Sequence, residues 1–246
     1  LNRTIHYAAN RAAIAVLVAS VFTVFIQAQT IRPVITEYTA KVAKGSVELV
    51  NPSAIPLSVV MEPKSFTVSE TGEIAYRPLD KSIQVKLSAM SFQIPPQQSY
   101  FLFYEARADA LPAWFVLYAN IGGFRKSDTG MNIRLDLPHT VYILPKQSAG
   151  KGDLSIQYIG VSPDKAHLQF RITNTGPWFG RALQTQLRSK SGTIQGSGFP
   201  IFPNAKRIVE ISCKGNQTGA VYGIRLKNLR LEEPPPDPAE SRVCAP

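Results

Sequence analysis

The side chains able to do chemistry are few and scattered. Histidines stand at His6, His139 and His167. No Cys, Asp or Glu recurs around them at metal-ligand spacing, so no metal site is expected. Asp153 and Asp164 are spaced like loop acids rather than a paired acid and base. Gly150-Lys151-Gly152 lacks the upstream glycine and the hydroxyl residue of a phosphate-binding loop. There is no Gly-x-Ser-x-Gly nucleophile elbow. The sequence therefore predicts no catalytic residue, no cofactor and no enzyme. The other reactive pair is Cys213 and Cys244. In an oxidising compartment they could bridge, tying the C-terminal tail to a strand with about 3–4 kcal/mol of stabilisation on the chain-entropy estimate. Two free thiols are the alternative.

What positions these residues is mostly extended chain. Ile83, Val85, Leu87 and Ala89 alternate with Gln84, Lys86 and Ser88 across Ser82–Ile94. Met131, Ile133, Leu135 and Leu137 alternate with Asn132, Arg134 and Asp136. Leu168, Phe170 and Ile172 alternate with Gln169 and Arg171. Period-2 alternation predicts strands with one buried face. Further strands are expected in Ser46–Asn51, Leu57–Glu62, Tyr100–Ala106 and Ala113–Ile121, rich in β-branched or aromatic residues and bounded by Pro, Gly or Asn. Short strands separated by frequent turn signals predict an all-β chain of sandwich or barrel domains.

The N-terminus reads differently. Arg3 and Arg11 precede an uncharged apolar run from Ala12 to Ile26, followed by Gln27-Ala28-Gln29. A basic start, a short apolar stretch and a small residue at the cut form a secretory signal, predicted at residues 1–28. An uncleaved run would instead anchor the chain, the only membrane contact expected. The polar stretch from Lys146 to Asp153 reads as a linker. Two domains are thus expected, at residues 29–146 and 153–231. A Pro-rich extended tail follows at residues 232–246.

The 246 residues carry a net charge of +10, with 44% hydrophobic and 18% charged residues. That composition is globular. The cations form neither the stripe nor the basic helix of a nucleic-acid binder, so no nucleic-acid partner is expected.

Four passages, in order, resemble the PapD-like family of periplasmic pilus-assembly chaperones. They are Ser46–Asn51 with Ile55–Val59, Phe92–Ser99, Leu111-Pro112 with Trp114–Ile121, and Met131–Pro145. The resemblance implies that both domains are immunoglobulin-like β-sandwiches in tandem, in a periplasmic protein that binds an exported, pilin-like β-rich subunit and works with an outer-membrane usher. It implies that the last strand of the first domain lends alternate apolar side chains, here Met131, Ile133, Leu135 and Leu137, to a subunit lacking a strand. The family holds its client's terminal carboxylate with an Arg and a Lys. The Lys position corresponds to Thr140, and Arg32 is the nearest candidate for the Arg. An envelope-associated adhesion module of two such domains, with no client, is the competing expectation.

Overall fold

The alternation seen in the sequence becomes seventeen strands in a computed structural model, which describes residues 30–122, 134–189, 192–213, 220–227 and 229–233. No helix occurs among them. The first ten strands build one sandwich and the last seven a second.

In the first sandwich, β1 (Thr30–Arg32), β3 (Val42–Asn51), β8 (Gln98–Ala108) and β6 (Ile83–Leu87) form one sheet in the order β1-β3-β8-β6. The facing sheet has the order β2-β10-β9-β4-β5. It contains β2 (Ile35–Tyr38), β10 (Leu135–Ile143), β9 (Ala113–Gly122), β4 (Leu57–Val68) and β5 (Ile74–Pro78). A short strand, β7 (Ser91–Ile94), pairs with the start of β4. The inward residues of both sheets, including Val47, Leu49, Leu102, Phe115, Leu117, Val141 and Ile143, make one core.

Ser82–Ile94, one alternating stretch in the sequence, is two strands. β6 pairs with β8 in the first sheet, and β7 pairs with β4 in the second. Ser88–Met90 carries the chain between them. The inward parity flips across that break, from Ile83, Val85 and Leu87 to Phe92 and Ile94, so both strands still face the same core. At the other edge the chain changes sheets again. β1 pairs antiparallel with β3, and after Pro33 and Val34 the chain continues as β2, parallel to β10.

The second sandwich packs β11 (Leu154–Val161), β12 (His167–Asn174) and β15 (Ala205–Ser212) against a four-stranded sheet. That sheet runs β14-β13-β16-β17, with β13 (Gly180–Ser189), β14 (Gly192–Ile201), β16 (Val221–Arg225) and β17 (Arg230–Glu232). Its core includes Leu168, Phe170, Ile172 and Tyr222, with Phe170 and Tyr222 stacked at 4.1 Å.

The sandwiches meet through a third apolar cluster. Phe66, Val116 and Tyr142 of the first pack against Phe179 of the second, with Trp114 and Phe202 closing the group. Arg181 lies over the rings of Tyr142 and Phe179 at 4.9 and 5.5 Å and pairs with Glu37. The β4–β5 turn also reaches the second sandwich. Arg171 Nε donates to the Glu70 carboxylate at 2.7 Å, and the Ile208 amide donates to the Glu70 carbonyl at 2.7 Å.

Candidate functional site: the open edge of β10 and the face beside it

β10 pairs with β9 along its whole length, from Leu135 opposite Ile121 to Ile143 opposite Ala113. Among the described residues its other flank is covered only in part, by β2 from Thr140 to Ile143. Parity then decides which groups are free. The Thr140 amide donates to the Val34 carbonyl at 2.8 Å, and the Leu144 amide donates to the Tyr38 carbonyl at 2.7 Å. Even-numbered residues therefore aim their backbone groups at β2. Followed back, the same parity points the Asp136 amide and carbonyl, and the Pro138 carbonyl, at the uncovered flank. Pro138 has no amide hydrogen to offer, which suits an edge position.

The odd residues of β10 face the core. His139, Val141 and Ile143 are completely buried. Leu135 and Leu137 share that face and are half-buried against the first core. Their contacts with their own sandwich are thus incomplete, and they sit where the flank is open. Met131 and Ile133, predicted on the same face, lie outside the described residues.

The even residues look out of the second sheet. Register places Ile35, Thr140, Val116 and Lys64 in one row across β2, β10, β9 and β4. The cation in this row is Lys64, on β4 rather than β10. Its ammonium is 2.9 Å from the Glu62 carboxylate and 5.4 Å from the centre of the Tyr118 ring. Hydrogen bonding to Lys64, chiefly, holds the Glu62 carboxyl below its ordinary pKa. Tyr118 packs edge-on against Tyr76 at 4.8 Å. Burial, and then the Tyr76 hydroxyl, raise the Tyr118 pKa. The outcome is a partly apolar surface with Lys64, Tyr76 and Tyr118 at its centre. Lys64 was not singled out in the sequence, because nothing in a linear reading sets it beside Thr140. Only strand order does.

The two anchor candidates do not come together. Thr140 is on the outer face of the β10 sheet. Arg32 is on β1, in the opposite sheet, its side chain 65% exposed and 3.6 Å from Glu48. The chain switches sheets just after Arg32, so the two lie near one edge of the sandwich but on opposite outer faces.

The remaining candidate groups serve structure. His139 Nδ1 lies 2.6 Å from the Pro33 carbonyl, and Nε2 lies 3.1 Å from the Tyr104 hydroxyl. A carbonyl can only accept, so Nδ1 carries the proton and Nε2 accepts from Tyr104. Tyr104 in turn meets the Tyr38 hydroxyl at 2.9 Å. Burial lowers the His139 pKa, although the bond to Pro33 opposes this. The neutral ring thus pins β10 to the switch between β1 and β2.

His167 lies 3.6 Å from Asp164. Ser162 Oγ donates to Asp164 and contacts the His167 carbonyl, not its ring, so this group closes a turn rather than activating a hydroxyl. Among the described residues no three His, Cys, Asp or Glu side chains converge to hold a metal. Cys213 is disulfide-bonded, and Cys244 lies outside the described residues.

No protein-family model matches the chain, and no curated protein matches its sequence. Its fold does have relatives among solved structures. The YadV chaperone superposes with a TM-score of 0.53 at 13% identity, covering 84% of this chain and 98% of that one. A chain from the Salmonella enterica SafA pilin–SafB chaperone complex gives 0.53 at 11% identity, covering 85% and 96%. The class 5 fimbriae chaperone CfaA gives 0.50 at 12% identity, covering 84% and 98%. The fold is that of the fimbrial chaperones, shared at a sequence identity that speaks to fold alone.

Proposed function

We propose that this protein is an exported, periplasmic chaperone of pilus or surface-fibre assembly, a binding protein rather than an enzyme. It holds a pilin-like β-rich subunit by strand donation and passes it to an outer-membrane usher. The observation that carries this reading is the half-open flank of β10. A strand with one free edge and alternate apolar residues gives an incomplete sandwich both things it lacks, backbone hydrogen bonds and core side chains. Residues 29–146 form the client-binding domain, and residues 153–231 the second. Within the donor strand Leu135 and Leu137 also serve their own core, so Met131 and Ile133 carry more of the client contact. The shared fold supports the reading, as does the pilin that accompanies a chaperone of this fold in one of the solved structures. Residues 1–28 act as the export signal, and Cys213 pairs with Cys244 once exported.

Arg32 and Thr140 do not form a carboxylate clamp in this reading, and the cation of the Thr140 row is Lys64. The test is co-expression with small β-rich subunits encoded beside this gene. Wild type should co-purify with one of them as a one-to-one complex. Met131→Asp/Ile133→Asp should abolish the complex while leaving the thermal unfolding of the chaperone unchanged. Recovery of the chain without any such subunit would argue for the adhesion module instead.

A further inference from the structure

The outer face of the β1-β3-β8-β6 sheet has a composition unusual for a solvated face. Register fixes its rows. Arg32, Glu48 and Phe101 lie side by side across β1, β3 and β8. Next come Ser46 and Phe103, then Lys44, Glu105 and Lys86, then Arg107 opposite Gln84. Phe101 and Phe103 are 55% and 60% exposed in the middle of this face. Two adjacent aromatic rings left open at the centre of a sheet mark a contact surface.

The charge around them is one-sided. Arg32, Lys44, Lys86 and Arg107 stand against Glu48 and Glu105. The acids are already engaged, Glu48 with Arg32 at 3.6 Å and Glu105 with Lys44 at 3.0 Å. Lys86 and Arg107 remain, both close enough to Glu105 to act on it. Exposed aromatic rings among surplus cations suit a partner with an apolar interior beneath a negative surface. That is the chemistry of an anionic bilayer interface.

The chain's connectivity points to the same partner while the export signal is still attached. β1, an edge strand of this sheet, starts at Thr30. In the sequence, only Gln27, Ala28 and Gln29 separate it from the apolar run ending at Ile26. Thr30 and Arg32 are both exposed, on either side of buried Ile31, and so look out from the same face as Phe101. Until residues 1–28 are cut away, this sheet is the part of the described protein nearest in sequence to the export signal.

We infer that the outer face of the β1-β3-β8-β6 sheet is a peripheral docking surface for anionic phospholipid membrane, with Phe101 and Phe103 entering the interface and Lys86 and Arg107 meeting the headgroups. This face lies on the opposite side of the sandwich from the β10 sheet, so it can be occupied while β10 holds a client.

The test is vesicle flotation of the exported protein, comparing phosphatidylglycerol-containing with pure phosphatidylcholine vesicles at low and high salt. A retained leader carries Arg3 and Arg11 and would itself favour anionic vesicles, so the sheet variants, which leave the leader unchanged, isolate the contribution of this face. Wild type should float with the anionic vesicles at least about tenfold more than with the neutral ones, and the excess should vanish at high salt. Phe101→Ser/Phe103→Ser and Lys86→Glu/Arg107→Glu should each remove most of the excess with unchanged thermal unfolding, since all four side chains are exposed. Equal flotation with both vesicle types, or an excess that survives both variants, would overturn the inference. An absence of flotation would overturn it too and leave the face to an acidic protein partner.

Discussion

Three polar side chains in the first sandwich carry more consequence than their number implies. Tyr38, Tyr104 and His139 form a chain of hydrogen bonds ending at the Pro33 carbonyl. Because burial lowers the His139 pKa, the unfolded chain takes up a proton that the folded one refuses. The contribution to stability is therefore complete above the unfolded value of about 6.5 and shrinks as pH falls from there toward the folded value. Urea unfolding midpoints should decline between pH 7.5 and 5, and His139→Gln should flatten that part of the decline. The same network explains Gly45. A Cβ there would collide with the hydroxyls of both Tyr38 and Tyr104. Gly45→Ala should thus lower stability by about 1–3 kcal/mol in chemical denaturation, as over-packing does elsewhere. Neither the network nor the reason for Gly45 was legible in the sequence. His139 read there as a lone histidine, because its partners are 35 and 106 residues away.

Among the elements, those with alternating faces were the readable ones. β3, β8, β9 and β12 fall where β-branched and aromatic residues cluster. β5 and β14 gave little sign, since β5 is exposed throughout and β14 turns inward chiefly at its end, from Phe199 to Ile201. The alternation around Leu135 and Leu137 showed a strand but could not say which sandwich it completes. Facing one's own core and facing a client's have the same period. The structure resolves this for part of the strand, with Leu135 and Leu137 half-buried at home. It follows that the two ends of the donor stretch respond differently to substitution. Leu137→Ala should cost the free protein about 1–2 kcal/mol, less than the usual fully buried leucine. Met131→Ala should leave the free protein's denaturation midpoint within experimental error while weakening client capture in pull-downs.

For the molecule as a whole, the junction sets behaviour. The aromatic cluster of Phe66, Tyr142, Phe179 and Phe202 is continuous across both sandwiches, with Arg171 and Arg181 paired to Glu70 and Glu37 on its flanks. Interfaces between domains of one chain are commonly loose and polar. This one has an apolar centre, so the sandwiches should unfold together. Calorimetry of wild type should give a single transition. Phe179→Ala/Phe202→Ala should split it into two, with a loss of about 3 kcal/mol or more. None of this could be foreseen from the linker, which reads as flexible and polar from Lys146 to Asp153. The residues that fix the angle are spread over four distant strands and loops.

One connection has a consequence in time rather than in space. β2 and β10 are parallel neighbours, so Ile35 waits for Thr140, some hundred residues further along the chain. Contacts so far apart in sequence form slowly. A chain emerging from a translocation pore, amino end first, cannot close this sheet until β10 itself has arrived. The strand proposed to bind the client is then the last piece of its domain to be laid down, and a protein stalled before residue 135 should remain sensitive to protease throughout its first hundred residues. Its readiness to bind and its completion of folding become the same event.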